Sequence, residues 1–217
     1  MPPGLARFDD QYRARWGDLL AGIDEAGRGP LAGPVVAACV ALRAGTKIRG
    51  VRDSKVLTAA ERACTAERIR AKAVAIGVGM AGVEEVDALN IRVASLLAMR
   101  RAVEALGIDP QGLLIDGRDS IWVELPCEAV VDGDAKSQSV AAASIIAKVT
   151  RDALMEGEDM RYPLYGFARH KGYSTPEHLA AIRDHGPCEI HRRSFRPVWE
   201  SLFVQETLFG AVEDVQS

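Results

Sequence analysis

Residues 34–42 of this chain form a nearly continuous apolar run, PVVAACVAL, and this run limits the possible fold more than any other segment. Apolar side chains at every position, rather than at every second one, are typical of a β-strand that is buried on both faces. Such a strand usually belongs to a sheet that helices cover on both sides. The run therefore points to an α/β arrangement.

Further segments of the chain are predicted to form strands and helices in alternation. The other predicted strands are Leu19–Asp24, Ala73–Met80, Leu113–Asp116 and Glu128–Val131. The predicted helices are 59–72, opened by a capping box at Thr58–Glu61, then 83–106, 139–155 and a short helix that begins at Thr175 and stops at Gly186. Strands come early and the C-terminal third is helical. This order predicts one mixed α/β domain over residues 1–217, with a helical C-terminal part at about 161–205.

Composition excludes several classes of protein. Hydrophobic residues make up 48% of the 217 positions and charged residues 26%, which excludes a collagen and a disordered acidic chain. The four cysteines lie tens of residues apart, as expected of reduced core residues in a cytosolic protein. No signal peptide is evident, and the longest apolar stretch is too short to span a bilayer. We expect a cytoplasmic protein with no membrane partner, and a monomer by default.

Positive charge is concentrated in one C-terminal segment. The chain as a whole has a net charge of −3, yet residues 161–196 contain seven basic and three acidic side chains. Tyrosines and a phenylalanine are interleaved with the basic residues, which is typical of a nucleic-acid contact surface. An ordinary solvated pair of helices explains the same composition, and charge alone does not decide between the two.

Carboxylates follow three of the predicted strands. Asp24 and Glu25 end one strand, Asp116 ends another, and Asp134 follows a third just before a helix. Any one of them alone is more simply a turn former or a helix N-cap. Four carboxylates at one sheet edge would repel each other unless protons or cations neutralise them, and their hard oxygens select Mg²⁺ or Mn²⁺. The set therefore favours a two-metal site that cleaves phosphodiesters.

A glycine-rich turn lies directly after the first carboxylate pair. Gly27 and Gly29 leave the backbone open to a sugar or a phosphate, and Arg28 between them can bind a phosphate. A lone Gly-Arg-Gly is usually only a turn. Its position two residues after an Asp-Glu strand end makes it much more specific.

Five motifs in this order resemble the ribonuclease HII family, the bacterial type 2 ribonucleases H. They are GIDEAGRGPLAGPVVAA, LLIDG, GD-x(9)-SIIAKVTRD, YGFARHKGY and EIHRRSF, and together they span residues 21–195. The resemblance implies a ribonuclease H-like fold, in which helices flank a mixed five-stranded sheet. It also implies hydrolysis of RNA in RNA–DNA hybrids and cleavage 5′ of single ribonucleotides in duplex DNA, which leaves 3′-hydroxyl and 5′-phosphate ends.

The resemblance also assigns roles to residues of this chain. The catalytic, metal-binding acids are Asp24, Glu25, Asp116 and Asp134. Backbone groups of Gly27, Arg28 and Gly29 read the ribose 2′-hydroxyl, and Tyr173 stacks where a deoxyribonucleotide follows the ribonucleotide. We expect Lys55 and Lys148 to hold backbone phosphates. Ser144 either contacts a phosphate or bonds back within its own helix.

This chain departs from the family pattern at three places. The segment Arg52–Val56 lacks one acid and one lysine that the family usually has there, and Ala141 replaces a frequent serine. Asp132 stands where lysine is frequent, which leaves open whether Asp132 or Asp134 faces the metal.

Two other functions deserve comparison with a hybrid-specific nuclease. A junction resolvase or an integrase-like transferase would use the same sheet, but it has no need of a 2′-hydroxyl reader. A binding module without catalysis would gain nothing from four mutually repelling acids close to phosphates. The sequence therefore favours a metal-dependent ribonuclease H.

Overall fold

The structure is a computed structural model that describes residues 4–52 and 54–202, and its strands form one sheet in the order β3-β2-β1-β4-β5. The strands are β1 (Leu19–Ala26), β2 (Val35–Arg43), β3 (Ala75–Ala81), β4 (Gly112–Asp116) and β5 (Cys127–Val130). β1 lies in the middle, antiparallel to β2 and parallel to β4. The predicted mixed five-stranded sheet is confirmed.

Eight α-helices with described bounds accompany the sheet, a short 3-10 helix covers Ser54–Val56, and residues 196–202 are also helical. The eight are α1 (Leu5–Trp16), α2 (Ala59–Lys72), α3 (Val83–Leu89), α4 (Ile91–Glu104), α5 (Gly133–Lys136), α6 (Gln138–Arg161), α7 (Phe167–His170) and α8 (Pro176–His185). None of the helices in this part of the chain is both long and apolar enough to cross a membrane. Residues 203–205 of the predicted C-terminal part, like Asp53, lie outside the described residues.

The apolar run of β2 is buried on both faces, as its sequence predicts. Successive side chains of a strand point to opposite sides of the sheet. Ala37, Cys39 and Ala41 pack in the core that α4 covers. Ala38, Val40 and Leu42 pack in the core that α2 and α6 cover. The chain thus forms three layers, with the sheet in the middle.

Two helix predictions were wrong in their bounds, and three helices, α1, α5 and α7, were not predicted. The expected helix 83–106 is interrupted at Asn90, whose backbone is left-handed (φ 69°) and whose side chain accepts hydrogen bonds from the backbone N–H groups of Arg92 and Val93. Asn90 therefore starts α4 afresh. The helix predicted over 139–155 continues to Arg161. The unpredicted helix α1 rests on α6, where the buried Asp9 carboxylate accepts a hydrogen bond from the Ser139 N–H at 3.0 Å.

The four cysteines are free, as expected, but they do not all lie in the core. Cys39 is buried in β2, whereas Cys64 is exposed on α2. The prediction of core positions is therefore wrong for Cys64.

The contact between β1 and α6 determines what lies at the end of the sheet. A Cβ atom on Gly22 would lie 2.2 Å from the backbone of Ser139 and Val140, so the strand and the helix touch through their backbones. Two residues along a strand cover about 6.6 Å, and four residues along a helix cover about 6 Å. Asp24 on β1 and Ser144 on α6 therefore reach the same point of the molecule.

This close approach generates a stability prediction. We expect Gly22→Ala to lower the free energy of unfolding by about 3 kcal/mol or more, because overpacking costs about 1–3 kcal/mol even where side chains can move. At Gly22 the added methyl group would instead meet backbone atoms of α6, which cannot move aside as a side chain can. The matched control is Gly157→Ala within α6, where an added Cβ meets nothing within 4 Å and the better helix propensity of alanine should add about 0.5–1 kcal/mol. Urea unfolding of both variants measures the difference, and equal effects would contradict the backbone contact.

Candidate active site

The sheet brings the four predicted acids to one edge. Ile23 of β1 pairs with Ile115 of the parallel strand β4, so the next residues, Asp24 and Asp116, come level at the carboxyl ends of the two strands. β5 runs parallel to β4 and leads into α5, which carries Asp134. Parallel strands commonly place functional groups at this edge.

Short contacts hold each carboxylate in place. The Glu25 N–H donates to Asp24 Oδ1 at 2.7 Å, and the Gly133 N–H donates to Asp116 Oδ1 at 2.7 Å. Arg28 Nη1 lies 3.1 Å from Glu25 Oε1. Lys55 Nζ lies 3.1 Å from Asp134 Oδ2. Two of the four acids therefore already face a cationic side chain.

Burial and mutual repulsion disfavour the ionised acids. Burial, followed by the charges of Glu25 and Asp116, raises the pKa of Asp24 well above its usual range. Burial also raises the pKa of Glu25, although the Arg28 guanidinium opposes this effect. The pKa of Asp116 is raised by burial and then by the Asp134 charge. The cluster is electrostatically strained unless protons or cations join it.

The structure distinguishes Asp132 from Asp134 by their burial and their contacts. Asp132 is exposed in a left-handed backbone conformation (φ 55°), whereas Asp134 is only 4% exposed. Of the two, Asp134 is the acid whose charge raises the pKa of Asp116. Asp134 is therefore the member of the cluster.

Ten of the eleven predicted site residues line one groove. They are Asp24, Glu25, Gly27, Arg28, Gly29, Lys55, Asp116, Ser144, Lys148 and Tyr173. Asp134 joins them through its contact with Lys55. The Ser144 hydroxyl lies 2.9 Å from the Ser54 hydroxyl and also hydrogen-bonds Asp24. Ser144 thus supports an acid of the cluster, and neither of the two predicted roles describes that contact.

Tyr173 lies against the glycine turn. A Cβ atom on Gly29 would be 3.8 Å from the Tyr173 ring, and Lys148 Nζ lies 5.6 Å from the centroid of that ring. Tyr173 as a whole is 42% exposed. One face of the groove therefore offers an aromatic surface beside a bare backbone turn and a cation.

Two buried histidines support the Tyr173 backbone. His178 Nδ1 lies 2.9 Å from the Tyr173 carbonyl, His178 Nε2 lies 3.0 Å from His191 Nε2, and the Cys188 N–H donates to His191 Nδ1. All three hydrogen bonds can form when both rings are neutral. His178 Nδ1–H then donates to the Tyr173 carbonyl, His191 Nε2–H donates to His178 Nε2, and His191 Nδ1 accepts from the Cys188 N–H. Burial lowers the pKa of both His178 and His191 to about 4, which favours these neutral forms at pH 7. The basic segment 161–196 thus includes side chains that serve the interior.

Sequence reasoning missed four residues that adjoin this site: Ser54, Arg62, Arg151 and Arg192. Ser54 and Arg62 line the groove, and Arg62 Nη1 donates to the Ser54 carbonyl at 3.1 Å. Arg151 follows Ala147 at the i+4 spacing of the buried face of α6, a signal that was available in the sequence. Arg192 was counted among surface charges, but it is fully buried.

The donor chemistry of the groove fits a hard divalent cation. The acids present only carboxylate oxygens, and the serine hydroxyls add two more oxygens nearby. In the described ranges, no three His, Cys, Asp or Glu side chains converge closely enough to hold a metal ion in their present positions. Arg28 and Lys55 hold two of the carboxylates instead. A cation would relieve the same repulsion that these two side chains relieve in part.

Comparison with known proteins identifies the family. The ribonuclease HII family model matches residues 21–199. The chain is 54% identical over 202 residues to ribonuclease HII 2 of Methylibium petroleiphilum, a match that covers 92% of this chain and 93% of that protein. The chain belongs to the ribonuclease HII family. Like other members, it is a hydrolytic endoribonuclease of the ribonuclease H type.

Solved structures agree with the ribonuclease HII fold. The ribonuclease H2 of Pyrococcus horikoshii superimposes with a TM-score of 0.73 at 28% identity, covering 84% of this chain and 96% of that chain. The Bst ribonuclease HIII, solved in complex with Mn²⁺, superimposes with a TM-score of 0.66 at 21% identity, over 95% of this chain and 75% of that chain. The family decides between the alternatives raised by the sequence: a junction resolvase and a module without catalysis are both excluded.

The strained acids generate a prediction for this ribonuclease HII. Because the pKa of Asp24 is higher in the folded than in the unfolded chain, stability is lost as the pH rises above about 4 and Asp24 ionises. We expect Asp24→Asn, measured in EDTA at pH 7, to be more stable by about 1 kcal/mol or more, a gain of about 2–4 °C in Tm per kcal/mol.

The gain should be smaller at pH 5 than at pH 7, because the cost of ionising the buried Asp24 carboxyl falls as the pH approaches its ordinary value of 3.8. Asp18→Asn is the control, because Asp18 is exposed and distant from the cluster. Thermal unfolding at both pH values measures the effect. A gain for Asp24→Asn no larger than that for Asp18→Asn would contradict the electrostatic account.

Proposed function

We propose that this ribonuclease HII cleaves the RNA strand of RNA–DNA hybrids and nicks duplex DNA on the 5′ side of a single embedded ribonucleotide. The products would carry 3′-hydroxyl and 5′-phosphate ends. One observation carries the proposal: the Asp24–Glu25 pair, the Gly27–Gly29 turn and the Tyr173 ring line the same groove. A hydrolytic centre and a sugar reader are therefore within reach of one nucleotide.

Recognition of RNA against DNA at one position depends on the 2′-hydroxyl, because no other local group differs. Backbone groups of Gly27–Gly29 can hydrogen-bond that hydroxyl, since no side chain covers the two glycines. The Tyr173 ring, which packs beside Gly29, would then meet the next sugar. An added hydroxyl on that sugar would crowd the ring, so a deoxyribose fits better.

The catalytic step would depend on the four acids. Asp24, Glu25, Asp116 and Asp134 would hold two divalent cations, Mg²⁺ or Mn²⁺, in place of the contacts that Arg28 and Lys55 now make. When bound, these cations supply the positive charge that activates a water and stabilises the departing 3′-oxygen. Released from the acids, Arg28 and Lys55 would face phosphates, and Lys148 would hold another.

The direct test uses three duplexes that differ only in sugar: one with a single ribonucleotide, one uniform RNA–DNA hybrid, and one all-DNA duplex. We expect a single nick 5′ of the ribonucleotide in Mg²⁺ or Mn²⁺, cleavage of the hybrid, and none of the all-DNA duplex. Cleavage on the 3′ side, or equal cleavage of the all-DNA duplex, would overturn the proposal. The cytoplasmic location and the monomeric state are part of this proposal and rest on the sequence.

Replacing one acid should separate binding from catalysis. We expect Asp116→Asn to lower kcat by about 100-fold or more, because even partners of a metal ligand contribute about 10–100-fold. Binding of the hybrid should persist or strengthen, since an acid that repels phosphate is lost. Asp109→Asn, an exposed position away from the groove, is the control. Near-normal turnover of Asp116→Asn at saturating Mg²⁺ would remove Asp116 from the site.

Tyr173 should matter most where a deoxyribose follows the ribonucleotide. We expect Tyr173→Ala to lower the ratio of kcat/KM on the single-ribonucleotide duplex to kcat/KM on the uniform hybrid by about tenfold, since stacking on an aromatic ring is worth about 1–3 kcal/mol. Tyr173→Phe keeps the ring and should keep most of the ratio. An unchanged ratio in Tyr173→Ala would show that Tyr173 does not read the junction.

A further inference from the structure

Arg192 is buried behind the glycine turn and binds its backbone. Its Nη2 donates to the Gly27 carbonyl at 2.6 Å and to the Gly33 carbonyl at 2.8 Å, and its Nη1 donates to the carbonyls of Arg28 at 3.0 Å and Pro30 at 2.8 Å. Its Nε also donates to Gly33, at 3.0 Å. One guanidinium therefore holds four carbonyls within a seven-residue loop.

Arg151 binds backbone carbonyls in the next part of the same loop. Its Nη2 donates to the Ala32 carbonyl and its Nε to the Pro34 carbonyl, both at 3.0 Å. Its Nη1 donates to the Lys171 carbonyl at 3.0 Å, two residues before Tyr173. Gly27, in a left-handed conformation (φ 97°), lies so close that a Cβ would stand 2.0 Å from Arg151 Nε.

Two fully buried guanidinium groups are costly to maintain. Burial lowers the pKa of Arg151, and it lowers the pKa of Arg192 to about 9. In the described part of the chain, neither guanidinium forms an ion pair within 4 Å. The carboxylate that most raises the pKa of Arg192, against the effect of burial, is that of Asp87. An apolar side chain at either position would leave these buried backbone carbonyls without a hydrogen-bond donor, so the loop needs a polar partner here despite the cost of burying it.

The planar fork of arginine explains why this side chain is used. It offers five N–H donors in fixed directions, whereas lysine offers three donors around one nitrogen and cannot span four carbonyls. The fork fixes the path of the backbone from Gly27 to Gly33 from the side opposite the groove. It also places a positive charge behind peptide groups that face the substrate.

We propose that Arg192, with the help of Arg151, is the positioning residue that gives the Gly27–Gly29 turn its selectivity for a ribonucleotide. The inference deepens the proposed function and rests on it. Arg192 touches no substrate in this account. It acts by holding the backbone groups of the turn at the position where they meet the 2′-hydroxyl, and a misplacement of about 1 Å at such a site can cost about 100-fold.

The test is a binding ratio rather than an activity. The ratio is the Kd of an all-DNA duplex divided by the Kd of the same duplex with one ribonucleotide, both measured in EDTA so that nothing is cleaved. We expect a ratio well above one for the wild type and a fall of about tenfold or more in Arg192→Lys. The Kd for all-DNA duplex should hardly change, because phosphate contacts remain. Arg100→Lys, on the exposed face of α4, is the control and should keep the full ratio.

Each outcome has a distinct meaning. An Arg192→Lys protein with the wild-type ratio overturns the inference and leaves the proposed function intact. A wild-type ratio of one overturns 2′-hydroxyl recognition by the turn, and with it this inference. If Arg192→Lys does not fold, Arg151→Lys decides, since it leaves four carbonyls on Arg192 and should lose a smaller part of the ratio. An unchanged ratio in a folded Arg151→Lys would overturn the inference.

Chemical rescue distinguishes positioning from general packing. In Arg192→Ala, free guanidinium at millimolar concentration should restore part of the binding ratio, because the cation can occupy the space among the four carbonyls. The same concentration of sodium chloride should not. Rescue by both salts alike, or by neither in a folded variant, would argue that the guanidinium has no positioning role.

Discussion

The desolvated carboxylates at the end of β1 are the constraint on which the site depends. β1 is the middle strand, and Asp24 at its end is only 5% exposed. Burial therefore raises the pKa of Asp24, and the charges of Glu25 and Asp116 raise it further. Ordinary packing would avoid such a cluster. The fold holds it with backbone hydrogen bonds from Glu25 and Gly133 and leaves a net demand for positive charge.

The glycine turn and the Tyr173 ring are held in place by residues from the C-terminal third of the chain. In the loop after β1, backbone carbonyls bind Arg151 and Arg192. Tyr173 is fixed in a similar way, because His178 binds its carbonyl and His191 binds His178. The C-terminal segment thus does more than supply surface charge. It determines where the turn and the aromatic ring stand relative to the acids on the sheet.

Local patterns in the sequence predicted most of the sheet, and together with the family resemblance they gave eleven site residues, ten of which line the groove. The capping box at Thr58 formed as expected, and the doubly buried run became β2. The break at Asn90 was missed because apolar residues keep their helical spacing across it. The role of Arg192 was missed for a different reason: a count of charges cannot show that four carbonyls from a distant loop surround a guanidinium. Interactions between segments far apart in sequence leave little trace in either one.

The central claim is that the buried acids are held in a state that only positive charge relieves. Carbon-13 NMR of the aspartate carboxyl groups, followed against pH with and without Mg²⁺, tests it most directly. Without Mg²⁺, the Asp24 carboxyl should titrate well above its ordinary value of 3.8. With Mg²⁺, its titration should move to lower pH, because a nearby cation favours the ionised form. An Asp24 carboxyl that titrates near 3.8 under both conditions would contradict the account.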